Sequence, residues 1–118
     1  WARGWALIAL SGILGNALTA WIYWPGEHFA YGASTAVFGA LGLLTGRAMR
    51  AGFAPGALGR LKRRLIPLGG GVAILVWLGL GEPGGNADIV AHFCGFGAGL
   101  ALGLAAALLP NRKPSAGR

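Results

Sequence analysis

The chain has few of the residues that a water-soluble domain places on its surface. Only 11% of its 118 residues are charged, and only three of these, Glu27, Glu82 and Asp88, are acidic. Hydrophobic residues make up 55% of the chain. A soluble core explains this composition poorly, whereas membrane-spanning helices have it routinely. A soluble, buried helical hairpin is the competing interpretation.

Cysteine is nearly absent as well. Cys94 lies in an apolar run and has no second thiol to pair with. Neither Cys94 nor the two histidines, His28 and His92, fall at a spacing that suits zinc. We therefore expect no metal and no cofactor, and we interpret Cys94 as a packing residue. His28, beside Glu27, is interpreted as interfacial or solvated.

The net charge of +7 comes from clusters of Lys and Arg that separate long uncharged runs. A surface that binds nucleic acid would interleave its basic residues with polar or aromatic contacts. The pattern therefore excludes nucleic acid as a partner. The first residue is Trp1 and the first apolar run lacks a cleavage site, so we expect no signal peptide and a chain that begins within a longer protein.

Four stretches contain no Asp, Glu, Lys or Arg, and each approaches the roughly 17 to 25 residues that cross a bilayer. We name them spans A, B, C and D; they cover residues 4–24, 29–46, 65–81 and 89–110. Pro and Gly lie in the breaks between them. Residues 111–118 form a basic tail. The sequence predicts a multi-pass membrane domain over residues 1–110.

The charges predict how the spans are oriented. If successive spans alternate in direction, every Lys and Arg falls on one side of the membrane and all three acids fall on the other. The positive-inside rule makes the basic side cytoplasmic. We therefore expect an integral protein of a bacterial inner (plasma) membrane, with the basic loop 47–64 and the C-terminus in the cytoplasm.

Two polar residues are conspicuous in this apolar background. His92 lies near the outer end of span D, and ionisable groups in hydrocarbon are costly and usually face a bundle interior. Ser34 lies near the outer end of span B. Because spans B and D run in the same direction, we expect the two residues to be level. A serine within hydrogen-bond reach of a neutral imidazole has the arrangement needed for nucleophilic catalysis.

Small residues predict that spans B and D approach closely, since backbones pack in lipid where glycine lines the contact. Residues on one face of each helix recur at steps of three or four. They are Ser34, Phe38, Gly42 and Gly46 in span B, and His92, Gly95, Gly99 and Gly103 in span D. A simpler interpretation makes Ser34 a helix cap or a back-bonded hydroxyl. In another, Ser34 and His92 only hydrogen-bond two helices of a structural or transport-related domain.

These residues match the motifs of a known family. Gly32-Ala33-Ser34 followed by Phe38-Gly39, with Ala91-His92-Phe93-Cys94-Gly95 and Gly99, resembles the GxSx and AHxxGxxxG motifs of rhomboid intramembrane serine proteases. Asp88 and the segment from Ser11 to Asn16 also resemble the family pattern. The likeness extends from about Ser11 to Leu109, in the same order.

The resemblance implies an all-α fold, a polytopic transmembrane bundle in which spans A to D are the last four helices of a six-helix core. It makes Ser34 the nucleophile and His92 the general base of a dyad without an acidic third member. Gly32, Phe38, Gly95 and Gly99 would support the dyad, with the Phe38 ring against the histidine. The backbone N–H of Ser34 would share the oxyanion hole with a histidine and an asparagine upstream of Trp1.

The resemblance also implies the partners, which are transmembrane protein substrates within the lipid bilayer. We expect residues 24–31 to form a flap over the site, and span C, with Pro67 and Gly69 to Gly71, to shift and admit a substrate. A rhomboid-like pseudoprotease that binds clients without cutting them is the alternative.

Thr35 departs from the pattern, because active members commonly have glycine after the serine. A β-branched residue there restricts the backbone, so we expect Thr35 to crowd the substrate's approach. On this argument Thr35→Gly should preserve or raise cleavage.

Overall fold

The computed structural model describes residues 1–27, 33–51, 55–81 and 88–108. These residues form four α-helices and no strand, so the all-α expectation is confirmed. The helices are α1 (Ala2–Ile22), α2 (Ser34–Arg50), α3 (Gly56–Gly79) and α4 (Ile89–Ala106). By length and composition, α1 and α4 are long and apolar enough to cross a membrane.

The helices differ from the predicted spans at their ends. α2 begins at Ser34 rather than at residue 29 and continues to Arg50, and α3 begins at Gly56 rather than at residue 65. Most of the predicted basic loop is therefore helical. The spans were bounded by charge, and charge marks the edge of the hydrocarbon rather than the end of a helix, because Arg and Lys are good helix formers. The predicted tail, residues 111–118, lies outside the described residues.

Glycine and proline shape α3. Pro67 lies inside the helix and has no N–H to donate to the carbonyl four residues earlier. At the other end, Gly81 follows the C-cap residue Leu80 with φ of +66°. That left-handed conformation is the common way in which glycine terminates a helix.

α2 lies at the centre of the bundle and packs against all three other helices, most extensively against α4. α1 packs against both α2 and α4, whereas α3 packs against α2 and meets α4 over only a short stretch. α3 is therefore the helix most weakly tied to the rest of the bundle.

The contact between α2 and α4 is made of small residues in parallel register. A Cβ added to Gly95, Gly99 or Gly103 would collide with the backbone of Thr35, Gly39 or Leu43, respectively. Each pair is one helical turn further along both helices than the pair before it. The two backbones are thus in direct contact, as the glycine stripe of span D predicts. Gly39, which the predicted span B stripe omits, is the residue that faces Gly99.

Large apolar side chains lie mostly on the outside. Trp77, Ile66 and Ile13 are 83%, 70% and 65% exposed, whereas the buried large apolar residues in the described part of the chain are Phe38, Leu43, Leu75 and Phe96. A soluble monomer rarely exposes so many large apolar side chains. Helices that pack through glycine and present large side chains outward are typical of proteins surrounded by lipid.

Candidate active site

Ser34 is the first residue of α2 and is half-buried. The first N–H groups of a helix, including that of Ser34, have no acceptor within the helix. The positive end of the helix dipole also lies there. The hydroxyl of Ser34 and its N–H, which has no acceptor within α2, therefore lie together at an electropositive helix end.

His92 lies in the first turns of α4 and is only 6% exposed. Its position follows from the start of that helix. The Ala91 N–H donates to Oδ1 of Asp88 at 3.0 Å, and the His92 N–H donates to the Asp88 carbonyl at 3.0 Å. Asp88 is thus the N-cap of α4. An Asp just before an apolar run is a recognised helix-start signal, so this role could have been predicted from the sequence.

The imidazole of His92 is held by the end of α3. Its Nδ1 lies 2.8 Å from the carbonyl oxygen of Gly79. A carbonyl can only accept a hydrogen bond, so Nδ1 carries the proton, and in a neutral ring Nε2 is left as an unprotonated acceptor. Sequence reasoning missed this contact because every residue has a carbonyl, and no residue type signals which one is used.

An aromatic ring also lies against the histidine. The centroids of the Phe38 and His92 rings are 4.4 Å apart, with their planes tilted by 40°. A Cβ added to Gly79 would lie 3.5 Å from Cζ of Phe38. Phe38, Gly79 and His92 therefore form one buried cluster, to which α2, α3 and α4 each contribute one residue. Phe38 is one turn after Ser34 on α2.

Ser34 and His92 lie near the same end of the bundle, because α2 and α4 are parallel and Thr35 is level with Gly95. The described residues include no hydrogen bond between Ser34 Oγ and His92. Catalytic hydrogen bonds are often long without substrate and shorten only in the complex. The structure thus brings the pair to one region without joining them.

The remaining predicted residues fall in different places. Gly95 and Gly99 lie in the contact between α2 and α4, where they allow the backbones to touch. Cys94 is a partly exposed free thiol. Gly32, His28 and residues 29–31 of the predicted flap lie outside the described residues. The described ranges contain no cluster of three or more His, Cys, Asp or Glu suited to a metal ion.

The Thr35 side chain is buried inside the bundle, so the expectation that it crowds the substrate's approach is wrong. Its side chain is 3% exposed. Its γ-methyl lies where it would meet a Cβ on Gly15 or Gly95, which places it at the junction of α1, α2 and α4. Successive helical residues point about 100° apart, from 3.6 residues per turn. The residue after Ser34 is therefore turned into the bundle.

α1 contributes two buried hydroxyl groups beside this region, to which the sequence alone assigned no role. Ser11 Oγ donates to the Ile8 carbonyl at 2.7 Å, and Thr19 Oγ1 donates to the Gly15 carbonyl at 2.9 Å. Both hydroxyls satisfy themselves on their own helix, as polar groups in a span commonly do. Neither is oriented as a nucleophile.

Comparison with known proteins identifies the family. The family model described as the Rhomboid domain matches residues 1–108. No curated protein and no solved structure matches the chain. The match covers nearly the whole chain and agrees with the resemblance carried by the serine and histidine motifs. The chain therefore belongs to the rhomboid family, whose members are integral to the membrane and are generally intramembrane serine proteases.

Proposed function

We propose that this chain is the catalytic part of an intramembrane serine endopeptidase, with Ser34 as nucleophile and His92 as general base. The observation that carries the proposal is the hydrogen bond from His92 Nδ1 to the Gly79 carbonyl. It leaves Nε2 free to accept a proton. The ring is also held against Phe38, one turn from Ser34.

The reaction follows from these groups. As Ser34 Oγ attacks the carbonyl carbon of a peptide bond, Nε2 of His92 takes the hydroxyl proton. The histidine then gives that proton to the leaving amine, and an acyl-enzyme remains on Ser34. Water, deprotonated in its turn by His92, hydrolyses the ester. The backbone N–H of Ser34, at the positive end of α2, would donate to the oxyanion.

The substrates that fit are transmembrane segments of other proteins. Ser34 lies at the end of α2 opposite Arg47 and Arg50, which the positive-inside rule assigns to the cytoplasm. The peptide bond that is cut therefore lies toward the outer leaflet of the bacterial inner membrane. Ser34 is only half-buried, so water can reach it there. We assign residues 1–110 to the transmembrane domain, as the last four helices of a six-helix core.

The test compares four variants of the full-length protein in liposomes on a model transmembrane substrate. Ser34→Ala and His92→Ala should each abolish cleavage. Ser11→Ala and Cys94→Ala are matched controls, because Ser11 is a buried serine bonded to its own helix and Cys94 is a partly exposed free thiol on the same helix as His92. Both controls should cleave normally. Cleavage by Ser34→Ala at the wild-type rate would overturn the proposal.

A rhomboid-like pseudoprotease is the second candidate, favoured by the absence of a Ser34–His92 hydrogen bond among the described residues. It would bind membrane clients without cutting them. Reaction of the folded protein with a fluorophosphonate probe separates the two. Labelling that is lost in Ser34→Ala supports the protease, and a complete lack of labelling supports the pseudoprotease.

A further inference from the structure

We propose that the Gly79 carbonyl is a positioning group for His92, so that the dyad is competent only while the end of α3 is docked against α4. This inference rests on the proposed function. It assigns to a backbone group the task that a carboxylate performs in a three-membered triad, which is to hold the imidazole in one tautomer and one orientation.

The Gly79 carbonyl is free for this task because of its place in the helix. The last four carbonyls of a helix have no N–H partner within it, and Gly79 is the last residue of α3. The glycine at 81 then turns the chain away with φ of +66°. His92 Nδ1, which is buried and 2.8 Å away, supplies the missing donor.

The end of α3 also suits the charge that forms during catalysis. When Nε2 accepts the serine proton, the ring becomes an imidazolium. The C-terminus of a helix carries a partial negative charge, which favours a cation beside it. A carbonyl at that position therefore stabilises the protonated ring as well as fixing the neutral one, and no acidic side chain is required.

Gly79 itself is suited to close docking. A Cβ there would lie 3.3 Å from Cδ1 of Leu75 and 3.5 Å from Cζ of Phe38. A methyl group would be in ordinary van der Waals contact with Phe38 and tight only against Leu75 of the same helix, whereas a branched side chain would push α3 away from Phe38. Gly69 and Gly70, on the same helix, have nothing within 4 Å of an added Cβ. They provide matched controls for a glycine replacement that does not disturb docking.

The consequence concerns the entry of a substrate. α3 meets α4 over only a short stretch, and its contact through His92 is part of that stretch. Any displacement of α3 that separates Gly79 from His92 breaks this hydrogen bond. The imidazole is then no longer held in the tautomer whose Nε2 can accept a proton. Substrate entry by movement of α3 therefore switches the dyad off until the helix docks again.

The experiment measures the tautomer of His92 directly by ¹⁵N NMR of histidine-labelled full-length protein, in which the His92 signals are identified as those that disappear in His92→Asn. We expect a protonated Nδ1 and an unprotonated Nε2 in the parent. Gly79→Val should convert this to a mixture of tautomers and slow fluorophosphonate labelling at least tenfold. Gly70→Val should change neither. The small probe does not depend on admission of a substrate helix.

A second variant tests the carbonyl without adding atoms. Replacement of Leu80 by its α-hydroxy acid makes the Gly79 carbonyl an ester, which is a weaker acceptor, and the same replacement at Leu78 is the control. The ester at position 80 should also produce a mixture of His92 tautomers. This test remains decisive if Gly79→Val does not fold. An unchanged Nδ1–H signal in the ester at position 80 would overturn the proposal.

The two proposals fail separately. If the probe never labels Ser34 but the His92 tautomer changes when the Gly79 contact is altered, the positioning contact stands and the protease assignment is wrong. If Ser34 is labelled equally fast in every folded variant while the tautomer shifts, the dyad stands and the positioning role is refuted.

Discussion

The ring of Phe38 lies against the ring of His92, with the centroids 4.4 Å apart and the planes tilted by 40°. Both side chains are buried, at 6% exposure each. The imidazole is thus fixed from two directions: Phe38 on α2 supports its ring, and the Gly79 carbonyl on α3 binds its Nδ1. Neither contact is a carboxylate, so the orientation of His92 depends on how three helices pack.

Removing the Phe38 ring should slow the chemistry as well as weaken the fold. In Phe38→Leu we expect at least a tenfold slower reaction of Ser34 with a fluorophosphonate, because the imidazole loses the surface that holds it. The matched control is Phe96→Leu, since Phe96 is buried in the same core cluster as Phe38, at 5% exposure, but its ring tip lies near Gly71. The midpoint temperature of thermal unfolding should fall by a similar amount in both variants. Equal labelling rates would contradict a role for Phe38 in orienting His92.

The contact between Gly39 and Gly99 should tolerate no added atom. A Cβ on Gly99 would collide with the Gly39 carbonyl, so Gly99→Ala must separate α2 from α4 and should cost about 1 to 3 kcal/mol. Gly97 lies on the same helix with nothing within 4 Å. Gly97→Ala should therefore be neutral or gain up to about 1 kcal/mol from helix propensity.

Thermal unfolding in detergent measures both variants. Because the α2–α4 contact also sets the distance between Ser34 and His92, Gly99→Ala should lose cleavage out of proportion to its loss of folded protein. An equal and small effect of both substitutions would show that the two backbones are not in direct contact.

Thr35 should matter for stability rather than for substrate access. Thr35→Gly removes a buried side chain that fills the junction with Gly15 and Gly95. We expect a loss of about 1 to 3 kcal/mol from the cavity together with the helix penalty of glycine. Val37→Gly is the control, because Val37 is 63% exposed and loses mainly helix propensity.

Cleavage per folded molecule should not rise in Thr35→Gly, since no substrate path is opened. A clear increase in kcat/KM for that variant, measured on the folded fraction, would restore the view that Thr35 obstructs the substrate.

Much of this architecture can be predicted from the sequence, because long runs without charged residues indicate where the helices lie. The uncharged runs predict the four helices, the glycine spacing predicts the close contact of α2 with α4, and the position of Ser34 and His92 predicts that they share one end. The helical ends were less predictable. Charge ends a span but not a helix, so the first turns of α3 were read as a loop.

The hydrogen-bond acceptor of His92 and the direction of the Thr35 side chain could not be predicted, because neither depends on the type of a side chain. The acceptor for His92 is the backbone of Gly79, 13 residues away, and any residue offers the same atom. The direction of the Thr35 side chain depends on the rotation of α2 about its axis. That rotation is fixed by α1, where Gly12 lies against Ala36 and Gly15 lies against Thr35. Sequence motifs carry no information about this packing.

Asp88 should determine where α4 begins and, through that, the position of His92 along the bundle. Its carboxylate accepts the Ala91 N–H at 3.0 Å, so Asp88→Ala should lose about 0.5 to 2 kcal/mol of stability. Asp88→Asn keeps an acceptor oxygen at the same place and should retain most of it. Hydrogen exchange of the Ala91 and His92 amides measures the effect locally, and both should exchange faster in Asp88→Ala. If Asp88→Asn destabilises as much as Asp88→Ala, the negative charge at the helix start matters more than the capping bond, and His92 is positioned by electrostatics rather than by the cap.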